Sequence, residues 1–197
     1  MTEQPSRSEP ESSEPASRPL GRELRSWVRD LAIAVGLALI IIVFLYQPVK
    51  VEGTSMSPLL SDQERIFINK IAYRFEPIAR GDVVVFWYPL DSSKSFIKRV
   101  VGLPGEILEL RRGQLFIGGK RIDEQYVPAN YFDDSSFGPI RVPAGEYFVM
   151  GDHRDSSNDS RMFGSVPRRF IYGKAVFAYW PANQFGSIAN PVEAGSK

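Results

Sequence analysis

The sequence has no cysteine, a single histidine and almost no net charge. Without cysteine, disulfides, thiolate catalysis and cysteine metal sites are excluded. With His153 alone, a zinc site built from several imidazoles is impossible, and a Ser-His-Asp enzyme would have to use that one residue. A formal net charge of +1 gives no reason to expect nucleic acid as a partner. We therefore predict no metal, no cofactor and no nucleic acid.

Large apolar residues are nearly missing from the N-terminal stretch and then form one long run. The first twenty residues are rich in Ser, Glu and Pro, so we predict a disordered cytoplasmic tail over residues 1–26. The run LAIAVGLALIIIVFLY begins at Leu31 and has no charged residue. It is slightly shorter than the roughly 20 residues that span a bilayer, but Trp27 and Tyr46 can lie at the two interfaces. We predict a transmembrane anchor over residues 27–48.

Two other interpretations of the apolar run are weaker. A helix that packs on the core of a small globular domain keeps a polar stripe facing water, which this run lacks. A cleavable signal peptide should end in an A-x-A-like site, whereas QPVKVEG follows here. Four arginines, at positions 18, 22, 25 and 29, cluster before the run, and only one lysine follows it closely. The positive-inside rule therefore predicts an extracytoplasmic domain over residues 49–197.

Short segments rich in β-branched and aromatic residues follow, separated by Pro-Gly, Arg-Gly, Gly-Gly and Ala-Gly pairs. They are VKVEG, RIFINK, DVVVFWY, SFIKRVV, EILEL, QLFIGG, EYFVMGD and KAVFAYW. A helical period after residue 50 is found only around Lys70–Arg74, so we predict a mainly antiparallel β body. Within it we predict an inserted β subdomain and loop over about residues 107–147, with Tyr126–Pro143 as a long surface loop.

Small residues surround Ser55 in the segment GTSMSP, which begins at Gly53 just after the predicted anchor. Small neighbours let a substrate backbone come close and leave backbone N–H groups available to an oxyanion. A serine in this setting is a candidate nucleophile. On its own, however, such a segment is far more often only a turn.

A candidate base lies in the predicted strand SFIKRVV. Strand alternation puts Phe96, Lys98 and Val100 on one face. If that face is inward, Lys98 is desolvated and its pKa falls, by about 3 units if it is to act as a base near neutral pH. Arg99 cannot serve, because a guanidinium does not deprotonate in proteins. The alternative is a lysine at a sheet edge whose amine reaches water.

The segment GDHRDSSNDSR, from Gly151 to Arg161, is dense in short polar side chains that bond locally and fix a loop. Its aspartates and arginines predict internal ion pairs. A calcium loop of EF-hand type is disfavoured, because Gly and Glu are missing from the sixth and twelfth positions. We interpret His153 as a structural or exposed residue of this loop.

Together and in this order, these segments resemble bacterial type I signal peptidases (leader peptidases) over roughly Val49–Pro181. The motifs concerned are SMSP, RGDVVVF, IKRVVGLPGE and GDHRDSSNDSR. The resemblance implies a barrel-like β catalytic body and a single-pass enzyme of the bacterial plasma (inner) membrane. Its partners would be the lipid bilayer and secretory preproteins with small residues at positions −1 and −3, from which it removes signal peptides.

The resemblance also implies a role for individual residues. Ser55 corresponds to the family's nucleophile and Lys98 to its general base. Ser157 corresponds to a serine that hydrogen-bonds the lysine amine, and Asp159 and Arg161 to an ion pair that holds the loop beside the site.

Further residues correspond to supporting and substrate-contacting positions. Gly53 occupies a position where some members have a serine that donates a second hydrogen bond to the oxyanion. Five positions match those lining the shallow substrate pockets, and they are Val49, Val51, Met56, Phe96 and Ile97.

Two other functions stay open at this point. A self-cleaving repressor-like peptidase also uses a Ser-Lys dyad, but it needs a DNA-binding region where this chain has its apolar run. A non-catalytic β module displayed on a membrane would need neither Ser55 nor Lys98.

Overall fold

The computed structural model describes residues 20–188, which divide into two units between Ile42 and Val43. A long helix, α1, spans Leu20–Leu45 and contains no proline. The tail predicted over residues 1–26 lies outside the described residues up to residue 19. Its last seven residues instead belong to the first turns of α1, because LGRELRS is rich in good helix formers.

The middle of α1 has exposed apolar side chains on every side. Within residues 20–188, no helix has the combined length and hydrophobicity that a membrane crossing requires. The anchor over residues 27–48 therefore stays a prediction. The exposed large apolar residues of this helix are Leu24, Trp27, Val28, Leu31, Ile33, Val35, Leu37, Leu39 and Ile40.

The body is mainly antiparallel β-structure, as the sequence predicts. Its strands are β1 (Tyr46–Lys50), β2 (Arg65–Asn69), β3 (Val83–Tyr88), β4 (Asp91–Gly102), β5 (Ile107–Arg111), β6 (Gln114–Ile117), β7 (Lys120–Arg121), β8 (Phe137–Arg141), β9 (Glu146–Met150), β10 (Val166–Pro167), β11 (Ile171–Trp180) and β12 (Gly186–Ser187). Two one-turn helices are α2 (Ala72–Phe75) and α3 (Ser160–Phe163).

The strands form two sheets. The larger sheet has the order β1-β2-β11-β3-β4-β9-β10, with β12 paired to β11, and the smaller one has the order β7-β6-β5-β8. All pairings are antiparallel. The long strand β4 lies between β3 and β9 and carries Lys98 directly opposite Val84.

Strand β3 explains why its sequence is apolar without alternation. Val83 and Val85 belong to one buried cluster, whereas Val84 and Phe86 belong to another. Successive side chains of a strand point to opposite faces, so β3 is buried on both. A third cluster lies between the smaller sheet and β9 and includes Leu108 and Phe148.

Part of the predicted surface loop over Tyr126–Pro143 is in fact strand β8, which pairs with β5. Ile140 packs against the third cluster and Val142 is fully buried in it. The turn-forming pair Gly138-Pro139 conceals this strand in the sequence, and its pairing with β5 depends on residues about 30 positions away.

Candidate active site

The side chains of Ser55 and Lys98 meet although they lie 43 residues apart in the sequence. The Lys98 Nζ donates a hydrogen bond to the Ser55 Oγ across 2.6 Å. Ser55 lies in the turns that follow β1, and Lys98 is in the middle of β4. The structure thus brings together the two residues that the sequence predicts as nucleophile and base; below, the pair is called the dyad.

The amine of Lys98 is held in a dry environment. The residue is only 5% exposed, and its Nζ lies 5.5 Å from the centroid of the Phe96 ring. Burial lowers the pKa of Lys98 from 10.5 to about 8, against the opposing charges of Asp159 and Asp152. The desolvated ammonium is disfavoured because it loses its hydration. At pH 7 roughly a tenth of the amine is therefore neutral.

The turn that carries Ser55 is fastened to the polar loop that begins at Gly151. The backbone N–H of His153 donates to the Ser55 carbonyl across 3.1 Å, and the His153 Nδ1 lies 3.2 Å from the Thr54 carbonyl. A Cβ on Gly151 would lie 2.4 Å from the Ser55 carbonyl oxygen, so only glycine fits there. The His153 ring thus bonds the turn backbone, which agrees with a structural role.

Asp159 and Arg161 form the ion pair that the resemblance implies. The Asp159 carboxylate accepts from the Arg161 Nε at 2.9 Å and from the Gly151 backbone N–H at 3.1 Å. The Arg161 guanidinium also donates to the Arg154 carbonyl at 2.6 Å and pairs with Asp133. These bonds close the loop on itself and also join it to the distant segment that carries Asp133.

Ser157 differs from what the resemblance implies. Its Oγ is buried and makes no hydrogen bond within the described residues, so the expected bond to the Lys98 amine is not formed in this structure. The hydroxyl lies instead against the backbone of Gly151, where an added Cβ would be 2.3 Å from the Ser157 Oγ. The local conformation of the loop, which no sequence motif specifies, decides this orientation.

Two buried ion pairs near the dyad were not predicted as such. Arg99, adjacent to Lys98, makes two hydrogen bonds to Asp152, at 2.8 and 2.6 Å. Arg154 makes two to Glu124, at 2.8 and 2.6 Å. The charged runs in the polar loop predict ion pairs within it, but these two partners come from distant segments. The only local sign of either pair in the sequence is Arg99, a charged residue within the apolar part of β4.

A cleft of about 330 Å³ opens at the dyad, and its walls are formed by the end of β1, the residues just after it and the middle of β4. Its lining includes four of the five predicted pocket residues, namely Val49, Val51, Phe96 and Ile97. Met56 is instead packed in the core, where it is 1% exposed.

The backbone near Ser55 leaves one donor available. No acceptor within the described residues binds the Ser55 backbone N–H. Gly53 has a positive φ of 89°, which glycine adopts without strain, and its N–H donates to Asp62 at 2.7 Å. Gly53 offers no side-chain donor, so an oxyanion at this site would be held by backbone N–H groups.

The chain matches the family described as signal peptidase, peptidase S26, over residues 24–180. It is 36% identical over 196 residues to a signal peptidase I of Leptolyngbya laminosa, covering 95% of this chain and 91% of the relative. It is 42% identical over 165 residues to a signal peptidase I of Bacillus amyloliquefaciens, covering 79% and 84%. A solved signal peptidase I from Enterococcus faecalis V583 aligns with 33% identity and a TM-score of 0.46, covering 50% of this chain and 97% of that one.

Replacing Lys98 by methionine tests whether the amine is buried at an energetic cost. Below pH 8 Lys98 is mainly protonated in both the folded and the unfolded protein, so the folded state bears the full cost of desolvating the ammonium. Between pH 8 and 10.5 the amine is neutral in the folded protein and still charged in the unfolded one, so this cost declines as the pH rises. We expect Lys98→Met to raise the free energy of unfolding by about 1–3 kcal/mol at pH 7, and by less at pH 10. Urea unfolding at both pH values measures this.

The matched control is Lys94→Met, because Lys94 is an exposed lysine on the same strand. It should leave stability nearly unchanged at both pH values. A Lys98→Met protein no more stable than the wild type at pH 7 would contradict the buried amine.

Proposed function

This chain belongs to the peptidase S26 family and is a serine endopeptidase of signal peptidase I type, and we propose that it removes signal peptides from exported preproteins with Ser55 as nucleophile and Lys98 as general base. The observation that carries the proposal is the 2.6 Å hydrogen bond between the Lys98 Nζ and the Ser55 Oγ. Burial of that amine supports the role, because only its neutral form can accept a proton.

The reaction follows from the geometry of the dyad. Neutral Lys98 takes the hydroxyl proton as the Ser55 Oγ attacks the scissile carbonyl, and the negative oxygen of the tetrahedral intermediate accepts from the Ser55 backbone N–H. The carbon–nitrogen bond then breaks, and the Lys98 ammonium returns its proton to the leaving amine. Lys98, neutral again, next activates a water that hydrolyses the ester on Ser55 and frees the serine.

The cleft beside the dyad supports a preference for small apolar side chains. Its walls are lined by apolar residues of β1, of the segment just after it and of β4, namely Val49, Val51, Phe96 and Ile97. Strand β1 is the last in the larger sheet, so an extended substrate could pair with its outer edge and alternate its side chains into the cleft. We propose that side chains at positions −1 and −3 of a preprotein bind there.

Cleavage assays on a purified preprotein test the dyad. We expect Ser55→Ala and Lys98→Met each to lower kcat/KM by about 10³-fold or more, because a nucleophile or its base is lost. For the wild type, kcat/KM should rise about tenfold per pH unit up to about pH 8 and then level off, since the neutral amine is the active form.

Lys94→Met is the matched control and should keep the wild-type rate and pH profile. Mass spectrometry of the products locates the cut. Full activity of either dyad variant would refute the mechanism and favour a different catalytic site, whereas no cleavage by the wild type would favour a binding module.

The Ser157 hydroxyl, which has no hydrogen-bond partner in the described residues, allows a separate test of the mechanism. We propose that it turns toward Lys98 during the reaction, so Ser157→Ala should lower kcat about 10- to 100-fold through a misplaced amine. The same substitution removes a buried polar atom without a partner in the described structure, and should raise the free energy of unfolding by about 1 kcal/mol. Ser156→Ala, at an exposed neighbour, should change neither. Unaltered kcat in Ser157→Ala would remove Ser157 from the mechanism.

We also propose that α1 anchors the enzyme in the plasma membrane from Trp27 to its end at Leu45, with the catalytic body outside the cytoplasm; the last three residues of the predicted anchor, 46–48, instead begin strand β1. The exposed apolar side chains of α1 support this, because they gain most from a lipid environment. Tethering would raise the effective concentration of a membrane-bound preprotein near the dyad.

Alkaline carbonate extraction of bacterial membranes tests the anchor. The full chain should stay in the membrane pellet. The double variant Leu37→Arg/Leu39→Arg should be released, since each arginine in a bilayer core costs about 2.5–3.5 kcal/mol. Leu24→Arg, which precedes the proposed anchor, should be retained. Retention of the double variant would count against a spanning segment.

A further inference from the structure

A second pocket of about 480 Å³ lies away from the catalytic cleft, beside the one-turn helix α2. Three cationic residues line it together with two tyrosines and two isoleucines. They come from two distant parts of the sequence, because Lys70 precedes α2 and Arg74 lies within it, whereas Arg168 precedes β11. The pocket takes no part in the mechanism proposed above.

The three cationic side chains of this pocket, those of Lys70, Arg74 and Arg168, form no ion pairs with carboxylates of the described residues. The nearby Asp82 carboxylate is bound instead by Lys174 at 2.8 Å and by the Tyr73 hydroxyl at 3.2 Å. Three positive charges converging on one concave surface favour an anionic ligand.

Arg168 is held in place before any ligand arrives. Its guanidinium donates to the Ile171 carbonyl at 3.1 Å and to the Tyr73 carbonyl at 2.9 Å. Two of its five N–H groups are thereby used, and the others remain for an anion. A fixed guanidinium suits the oxygens of a phosphate, whereas the exposed Lys70 and Arg74 can adjust to its other side.

The position of the pocket in the chain indicates the source of the anion. The Lys70 backbone N–H donates to the carbonyl of Leu45, the last residue of α1, and Asn69 pairs with Tyr46. Next to Arg74 lies Phe75, an aromatic residue that is 80% exposed. Basic and aromatic side chains at the end of a membrane-spanning segment are typical of the headgroup region of a bilayer.

We propose that this pocket binds the phosphodiester headgroup of an anionic phospholipid such as phosphatidylglycerol. The lipid phosphate accepts from Arg168 and is flanked by Lys70 and Arg74, while Phe75 lies among the lipid chains near the surface. The proposal rests on the proposed membrane anchor, because the Lys70 backbone bonds to Leu45 at the end of that segment.

Native mass spectrometry of the full chain, released from nonionic detergent micelles with equal amounts of phosphatidylglycerol and phosphatidylcholine, tests the proposal. The wild type should retain phosphatidylglycerol preferentially. The double variant Lys70→Gln/Arg74→Gln should bind it about 25-fold more weakly, because each cation near an anionic headgroup contributes about fivefold. The control Lys120→Gln/Arg121→Gln removes two exposed charges from the smaller sheet and should bind like the wild type.

Two outcomes of this experiment would contradict the proposal. Equal retention of phosphatidylglycerol by the wild type and the Lys70→Gln/Arg74→Gln variant would overturn the site. Displacement of the lipid by an equimolar amount of inorganic phosphate would overturn the lipid as its ligand. The same variant should cleave a preprotein normally in phosphatidylcholine micelles, so loss of lipid selectivity is separable from failure of the dyad.

Discussion

The hydrogen bond between a buried amine and a serine hydroxyl is the interaction on which the proposed catalytic site depends. An amine that stays neutral for part of the time near pH 7 must lose its hydration, which is unfavourable for its charged form. In this chain Lys98 is buried in the middle of β4, and the core clusters on both faces of the neighbouring strand β3 support that position. The β body therefore provides the free energy that keeps the amine reactive.

The surrounding charges are arranged so that they do not cancel this effect. Asp152 and Asp159 both favour the charged lysine, yet each is engaged by an arginine. A carboxylate whose oxygens are occupied by a guanidinium cannot also bind the ammonium of Lys98 closely. The ion pairs of the polar loop thus act in two ways, because they stabilise the loop whose His153 bonds the turn of Ser55, and they also keep their carboxylates from binding the amine of Lys98.

The parts of the molecule that depend on local sequence pattern are predictable from the sequence. Strand alternation put Lys98 on an apolar face, and the small residues around Ser55 indicated a turn open to a substrate. Features that depend on contacts between distant segments are not predictable in this way. The pairing of Arg154 with Glu124 and the strand β8 depend on how separate segments meet in space. The orientation of Ser157 depends on the loop backbone, for which no spacing rule exists.

Lys98 and Arg99 are consecutive on β4, so their side chains point to opposite faces of the strand. A slip of this strand by one residue against β3 would exchange them. The guanidinium would then face Ser55, where it could never accept a proton, and the amine would face Asp152, which would keep it charged. The sheet could still hold its hydrogen bonds after such a slip. If the dyad is catalytic as proposed, the alignment of two strands therefore matters as much as the identity of its two side chains for activity.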